Sequence, residues 1–220
     1  MSLGYNIHPS KKLNNIYKIK NYQGANPKEA KILFVGRDPN WIHNIEDSLL
    51  FENIEEYLSD GISYWKKNKI HHPFLSKDYK GDGKRYHQKF SQLEISPDYS
   101  HNISFVELIG FPTTGMAKKN NKKFKEHLLS DRNQKNLKEL DELLNQKDKI
   151  AFIAWGLLSD FSLVYKKFGL FEKLAKIDKK NLNIKDLNKI DNIYIHKHFS
   201  DSISNDTIDK ISKAVKSELA

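Results

Sequence analysis

The stretch Lys31-Ile32-Leu33-Phe34-Val35-Gly36-Arg37-Asp38-Pro39-Asn40 is an apolar run that ends at a glycine and passes straight into a turn. It lacks polar/apolar alternation, the pattern of a strand covered on both faces. Gly36 permits close backbone approach and Pro39 stiffens the turn, so the Asp38 carboxylate is held in place. Three more runs read the same way: 103–108 (ISFVEL), 149–155 (KIAFIAW) and 192–196 (NIYIH). Helical patterns lie between and after them. Residues 47–58 and 157–168 are two; Leu137, Leu140, Leu143 and Leu144 form an apolar stripe; Ile208, Ile211, Val215 and Leu219 share a face, with Ser204 or Asn205 as N-cap. The longest stretch without a strand signal is 62–102, which holds His71-His72-Pro73, Gly81-Asp82-Gly83 and a helical pattern over 86–93. Strands alternating with helices predict one α/β domain over residues 1–220, three layers (α/β/α) around a four-stranded parallel sheet.

In such sheets ligands bind beyond the carboxyl ends of the strands. The first strand leads into Arg37, Asp38, Pro39 and Asn40. The second ends at Glu107 and leads into GFPTTG, residues 110–115. The fourth gives way to Lys197, His198, Phe199 and Ser200. Two acids and a histidine therefore converge on one edge. A rigid carboxylate such as Asp38 can position water for attack, or it can simply cap the next helix.

The chain has 220 residues and a formal charge of +9, a surplus that favours polyanionic partners through phosphate contacts and counterion release. Abundant Lys, Asn and Ile also mark a composition that supplies lysines without any such role. The densest basic run is 118–125 (KKNNKKFK). The absence of cysteine excludes disulfides and cysteine-ligated clusters. No apolar run has the length of a membrane span, and the first residues lack a basic stretch followed by an apolar core. These features predict a cytoplasmic protein without membrane association or an obligate protein partner.

The turn residues 36–40 (GRDPN) after ILFV resemble the first motif, G-Q-D-P-Y-H, of uracil-DNA glycosylases. Phe51 lies thirteen residues after Asp38, within Ser48-Leu49-Leu50-Phe51, which resembles the family's G-L-A-F. The run 150–156 (IAFIAWG) is similar to the family's apolar strand ending in W-G. His198-Phe199-Ser200-Asp201-Ser202 falls where the family carries H-P-S-P-L-S. Phe111-Pro112-Thr113-Thr114-Gly115 resembles the mismatch-specific and thymine-DNA glycosylase branch. The likeness runs from about Lys31 to Ile203 and is that of a distant superfamily member. His8-Pro9-Ser10 spells the second motif more literally, but in the wrong chain order.

The resemblance implies a DNA glycosylase that hydrolyses the bond between a flipped base and its sugar. Asp38 would orient the attacking water and His198 would stabilise the departing base anion. Gly36, Arg37, Asn40, Phe51, Glu107 and Ser200 would surround the base, with Phe51 stacking on it unless it is ordinary core. His196 is in phase with His198, so strand periodicity does not choose between them. Lys118, Lys119, Lys122 and Lys123 would hold the DNA backbone, or form a solvated face. No cofactor or metal is required; His71 and His72 with a further histidine are the one combination that could ligate a metal.

Three departures bear on the base. Asn40 and Trp41 replace the family's Tyr-His, Glu107 stands where uracil-specific members carry the base-reading Asn, and Phe199 replaces a Pro. An ionised Glu107 accepts hydrogen bonds but cannot donate. Unless it is protonated, it suits an amino-bearing base better than plain uracil, and Asn40, smaller than the tyrosine it replaces, would leave room beside the base's 5-position. Two other classes stand beside the glycosylase: a non-catalytic nucleic-acid binder of the same fold, and an unrelated enzyme acting on a nucleotide-like small molecule. The last lacks the G-x-S-x-G, phosphate-loop and dinucleotide motifs.

Overall fold

A computed structural model of the chain describes residues 4–81, 83–115, 117 and 121–219. Its centre is a six-stranded sheet. Four strands are the apolar runs: β3 (Ile32–Gly36), β4 (Ile103–Glu107), β6 (Ile150–Ala154) and β8 (Ile193–His196). They are mutually parallel, with β3 between β4 and β6 and with β8 beyond β6. The expected four-stranded sheet is two strands short. Antiparallel strands β2 (Tyr22–Gly24) and β7 (Asn188–Ile190) close its edges beside β4 and β8. Each has three residues and mixed polarity, because an edge strand has little surface to bury. A separate two-stranded ribbon joins β1 (Asn6–Ile7) to β5 (Thr113–Thr114).

Alternate residues of the parallel strands face opposite layers. Leu33, Val35, Ala151, Ile153 and Ile195 pack against the apolar stripes of α6 (Asp131–Leu144) and α7 (Leu158–Phe168). Ile32, Phe34, Phe105, Phe152 and Tyr194 face α3 (Gly61–Asn68), α4 (Lys84–Ser91) and α9 (Asn205–Leu219). With both faces apolar, the strands cannot alternate in sequence. On the second face one aromatic ring per strand forms a row: Phe105, Phe34, Phe152 and Tyr194, with neighbouring centroids 5.7, 5.0 and 4.8 Å apart. Such pairs add about 0.5–1.5 kcal/mol each beyond burial, and they favour the register that aligns them.

Of the other helices, α1 (Lys11–Ile19) and α2 (Phe51–Ser59) pack with α3 in a third apolar cluster beside the sheet. Helix α5 (Asn121–Leu128) precedes α6, and α8 (Glu172–Ala175) follows α7. Ser204 is the cap of α9, its hydroxyl accepting from the Thr207 amide. Among the described residues no helix is long and apolar enough to cross a membrane.

The turn after β3 is zipped to the chain after β4. Leu108 and Ile109 amides donate to the Gly36 and Arg37 carbonyls, the Thr113 amide donates to the Pro39 carbonyl, and the Trp41 amide donates to the Thr113 carbonyl. Asn133, fully buried on α6, anchors this loop. It accepts from the Gly110 amide at 3.0 Å and donates to the Leu108 and Leu128 carbonyls at 2.8 and 3.1 Å. An Asn133→Ala variant leaves those backbone groups buried and unpaired. It is expected to lose about 2–4 kcal/mol of stability in urea unfolding, with the loop bearing Thr113 losing amide-exchange protection before the sheet does.

Candidate active site

The residues that follow β3, β4 and β8 enclose a cavity of about 240 Å³ at the carboxyl edge of the sheet. Pockets for drug-sized ligands run to about 300–1,000 Å³, so this one suits a single heterocycle rather than a whole nucleotide. Gly36, Arg37, Asp38, Asn40, Glu107, His198 and Ser200 all line it.

Asp38 is held by three donors on one oxygen. Thr113 Oγ1 lies 2.6 Å, Tyr5 Oη 3.0 Å and Asn40 Nδ2 3.4 Å from Oδ2. Among the described residues none donates to Oδ1 through a side chain. Burial raises the Asp38 carboxyl above its ordinary range, and these donors offset that only in part. The residue is thus oriented with one oxygen available to water.

Glu107 sits directly over Gly36. A Cβ at position 36 would lie 2.1–2.7 Å from its carboxyl atoms, so only glycine leaves room there. Among the described residues nothing pairs with its buried Oε2. Burial holds this carboxyl well above the usual range, and the neighbouring Asp38 charge adds to the effect. Of the two forms left open for Glu107, the surroundings favour the protonated one. A protonated acid offers an O–H donor beside a carbonyl acceptor, the same pair that an amide presents.

His198 rather than His196 reaches the cavity. The Ser200 amide donates to His198 Nδ1 at 3.1 Å, which leaves the proton on Nε2. Burial lowers its basicity and keeps the ring neutral. His196 is buried between Phe152 and Phe199, bonds the Lys197 carbonyl through Nδ1, and is pushed down to about 4 by burial.

Phe51 does not line the cavity. It opens α2, whose apolar face packs with Leu13, Tyr17 and Trp41, and the Lys12 ammonium lies 5.2 Å over its ring. The aromatic surface comes instead from the stretch without strand signal, which folds over the site. Phe74, Tyr86 and the stacked pair His72–His87, 3.6 Å between centroids, line the cavity opposite Phe34 and Phe105. Two histidine-aromatic clusters, His71-His72-Pro73-Phe74 and Tyr86-His87, were the available signal. Gln23 on β2 also lines the cavity, but nothing in its polar edge strand announced it. Tyr5 lies upstream of every motif.

The histidines form a neutral stack. His71 Nε2 and His87 Nδ1 are 3.0 Å apart, and His72 Nδ1 accepts from the Phe74 amide. Burial lowers all three, His71 to about 3. Among the described residues no three His, Asp or Glu side chains form a group that could hold a metal. His8 and Ser10 serve the fold: His8 bonds the Ile42 carbonyl, and the Ser10 hydroxyl caps α1.

Of the remaining cations, Arg37 lines the cavity and Lys122 and Lys123 do not. Arg37 turns its guanidinium to Asp160 on α7, with Nε and an Nη at 2.9 and 2.8 Å. Lys122 and Lys123 are exposed on α5, and Lys123 pairs with Glu126. Lys118 and Lys119 lie outside the described residues.

Comparison with family models, curated proteins and solved structures finds no match for the chain. The chemistry of the site rests on its geometry.

The shifts fix the sign of a pH effect. Folding raises the Glu107 carboxyl, so the folded state holds that proton more tightly. Stability is then lost as pH rises from the unfolded carboxylate range, about 4.3, through the folded value. The buried histidines act oppositely and cost stability as pH falls below about 6.5. Thermal melts across pH should show Glu107→Gln flattening the alkaline decline while leaving the acid decline unchanged.

Proposed function

We propose that the chain is a monofunctional DNA glycosylase with the fold of the uracil-DNA glycosylase superfamily, acting on a flipped damaged or modified base. The observation that carries this reading is the convergence of Asp38, Glu107 and neutral His198 on one base-sized cavity.

Extrusion of the nucleotide costs a few kcal/mol, least at a mismatch or lesion. The base enters between the rings of Phe34 and Phe105 on the sheet side and Tyr86 and Phe74 above. As the bond from the sugar C1′ to the base nitrogen breaks, its electron pair stays with the base. His198 Nε2–H donates to the growing anion. Asp38 positions water toward C1′, takes its proton and offsets the positive charge on the sugar. The products are an abasic sugar and the free base.

Protonated Glu107 donates to a ring carbonyl and accepts from the adjacent ring N–H. This pairing fits bases with a lactam or imide edge, uracil among them, and it replaces the preference for an amino-bearing base.

The test is a panel of oligonucleotides with single lesions, scored by alkaline cleavage at abasic sites. At least one lactam-edged base should be released. Asp38→Asn should lower the single-turnover rate by about 10²–10⁴-fold. The wild-type rate should fall at high pH as Glu107 ionises, whereas Glu107→Gln keeps its donor and should lose that alkaline limb. DNA binding without release of any base across the panel would favour the non-catalytic nucleic-acid binder.

A further inference from the structure

A second cleft of about 700 Å³ opens beside the base cavity, and Arg37 lines both. Five cationic side chains, Arg37, Lys125, Lys166, Lys179 and Lys180, face two carboxylates, Asp160 and Asp178. Asp160 is nearly buried and holds Arg37 through a single oxygen, Oδ2. The guanidinium has five N–H donors in all, so others remain for a ligand. Lys179 is fixed too. Its ammonium lies 4.6 Å over the Trp155 ring and donates to the Ser159 hydroxyl. Gly156, just beyond β6, also lines the cleft, and an added Cβ there would meet nothing within 4 Å.

Arg37 and Asp38 are consecutive, so whatever occupies the cleft lies next to the reacting sugar. A polyanion threaded past Asp38 would bring its neighbouring phosphates onto Arg37 and Lys179. We propose that this cleft between α5, α7 and the residue 178–180 turn seats the DNA backbone flanking the flipped nucleotide. Its phosphates would rest on Arg37, Lys125, Lys179 and Lys180. The inference rests on the reading that the chain acts on DNA, and it moves the backbone track from the outer lysines of α5 to the cleft behind them.

The experiment is fluorescence anisotropy with a labelled, unmodified duplex across a salt series. It compares the wild type with Lys179→Gln/Lys180→Gln, Lys122→Gln/Lys123→Gln and, as a surface control on α9, Lys213→Gln/Lys216→Gln. Thermal melts confirm that each variant is folded. Each phosphate contact contributes about 0.9 to the log–log salt slope on duplex DNA. The cleft pair should therefore lower the slope by about 1.8 and weaken binding at least tenfold at low salt, and the control should do neither. A cleft pair with wild-type slope and affinity overturns the proposal. So does a loss confined to Lys122→Gln/Lys123→Gln, or a wild type that does not bind DNA. The glycosylase reading is judged separately by base release. DNA binding that depends on the cleft, with no base released, would leave this proposal standing and overturn that reading.

Discussion

Gly36 and Glu107 are register partners at the carboxyl ends of the adjacent strands β3 and β4, and the Glu107 carboxyl occupies the space a side chain at 36 would need. Much of the site depends on this one close approach. It places a carboxyl in the floor of the cavity beneath Asp38, away from water, where its neutral form is favoured. It requires that β3 and β4 keep their pairing, which the ring row Phe105–Phe34–Phe152 reinforces from the buried face. It also starts the turn that the backbone after β4 fastens, because the Leu108 amide bonds the Gly36 carbonyl itself. Any side chain at 36 would move Glu107, and with it the charge environment of Asp38.

The two carboxyls share a cavity but differ in their partners. Asp38 receives three donors on one oxygen, which favours the anion. Glu107 has a buried oxygen with no described partner, which favours the acid. They interact, so they titrate as a pair whose protons come off in separate steps. Burial raises both, Glu107 well above its ordinary range, so Glu107 is the one that keeps its proton longer as pH rises. The neutral histidines extend the same logic. A charged ring in the stack of His72 on His87 would be desolvated and would repel its neighbours, so this wall of the cavity stays uncharged.

The sheet was largely legible because its signal is local. Four apolar runs long enough to be covered on both faces mark the parallel strands to within a residue at each end. The motif residues at their carboxyl ends follow from topology alone, and Asp38, Glu107 and His198 do line one cavity. Phe51 misled because a matched spacing carries no information about the path between its ends. Here the chain after Asp38 turns into α2 and buries that ring against α1. The roof was hidden for a related reason. Phe74 lies on a short turn, and Tyr86 and His87 open a helix whose pattern was legible, but only tertiary packing lays all three over the sheet edge. Tyr5 and Gln23 come from a ribbon and an edge strand too short to have a period.

Arg37 and Asp38 are consecutive, and each is fixed by partners of its own. Asp38 lines the cavity and accepts from Tyr5, whose ring meets Phe124 edge-on with centroids 6.0 Å apart. Arg37 reaches Asp160 on α7, which packs against the Leu33 and Val35 side. Adjacent residues thus carry an oriented carboxylate and an anchored guanidinium. Pro39 follows at once and limits how far the pair can rotate. The relative placement of the two groups is consequently set by backbone rather than by flexible side chains. On the proposed reading, in which the chain holds a polyanion and attacks a bond within it, that fixed offset matters, because an error of about 1 Å at the reacting centre costs on the order of 10²-fold in rate. The Asp160 carboxylate supplies a further constraint: it engages Arg37 through both Nε and an Nη, which fixes where the guanidinium points.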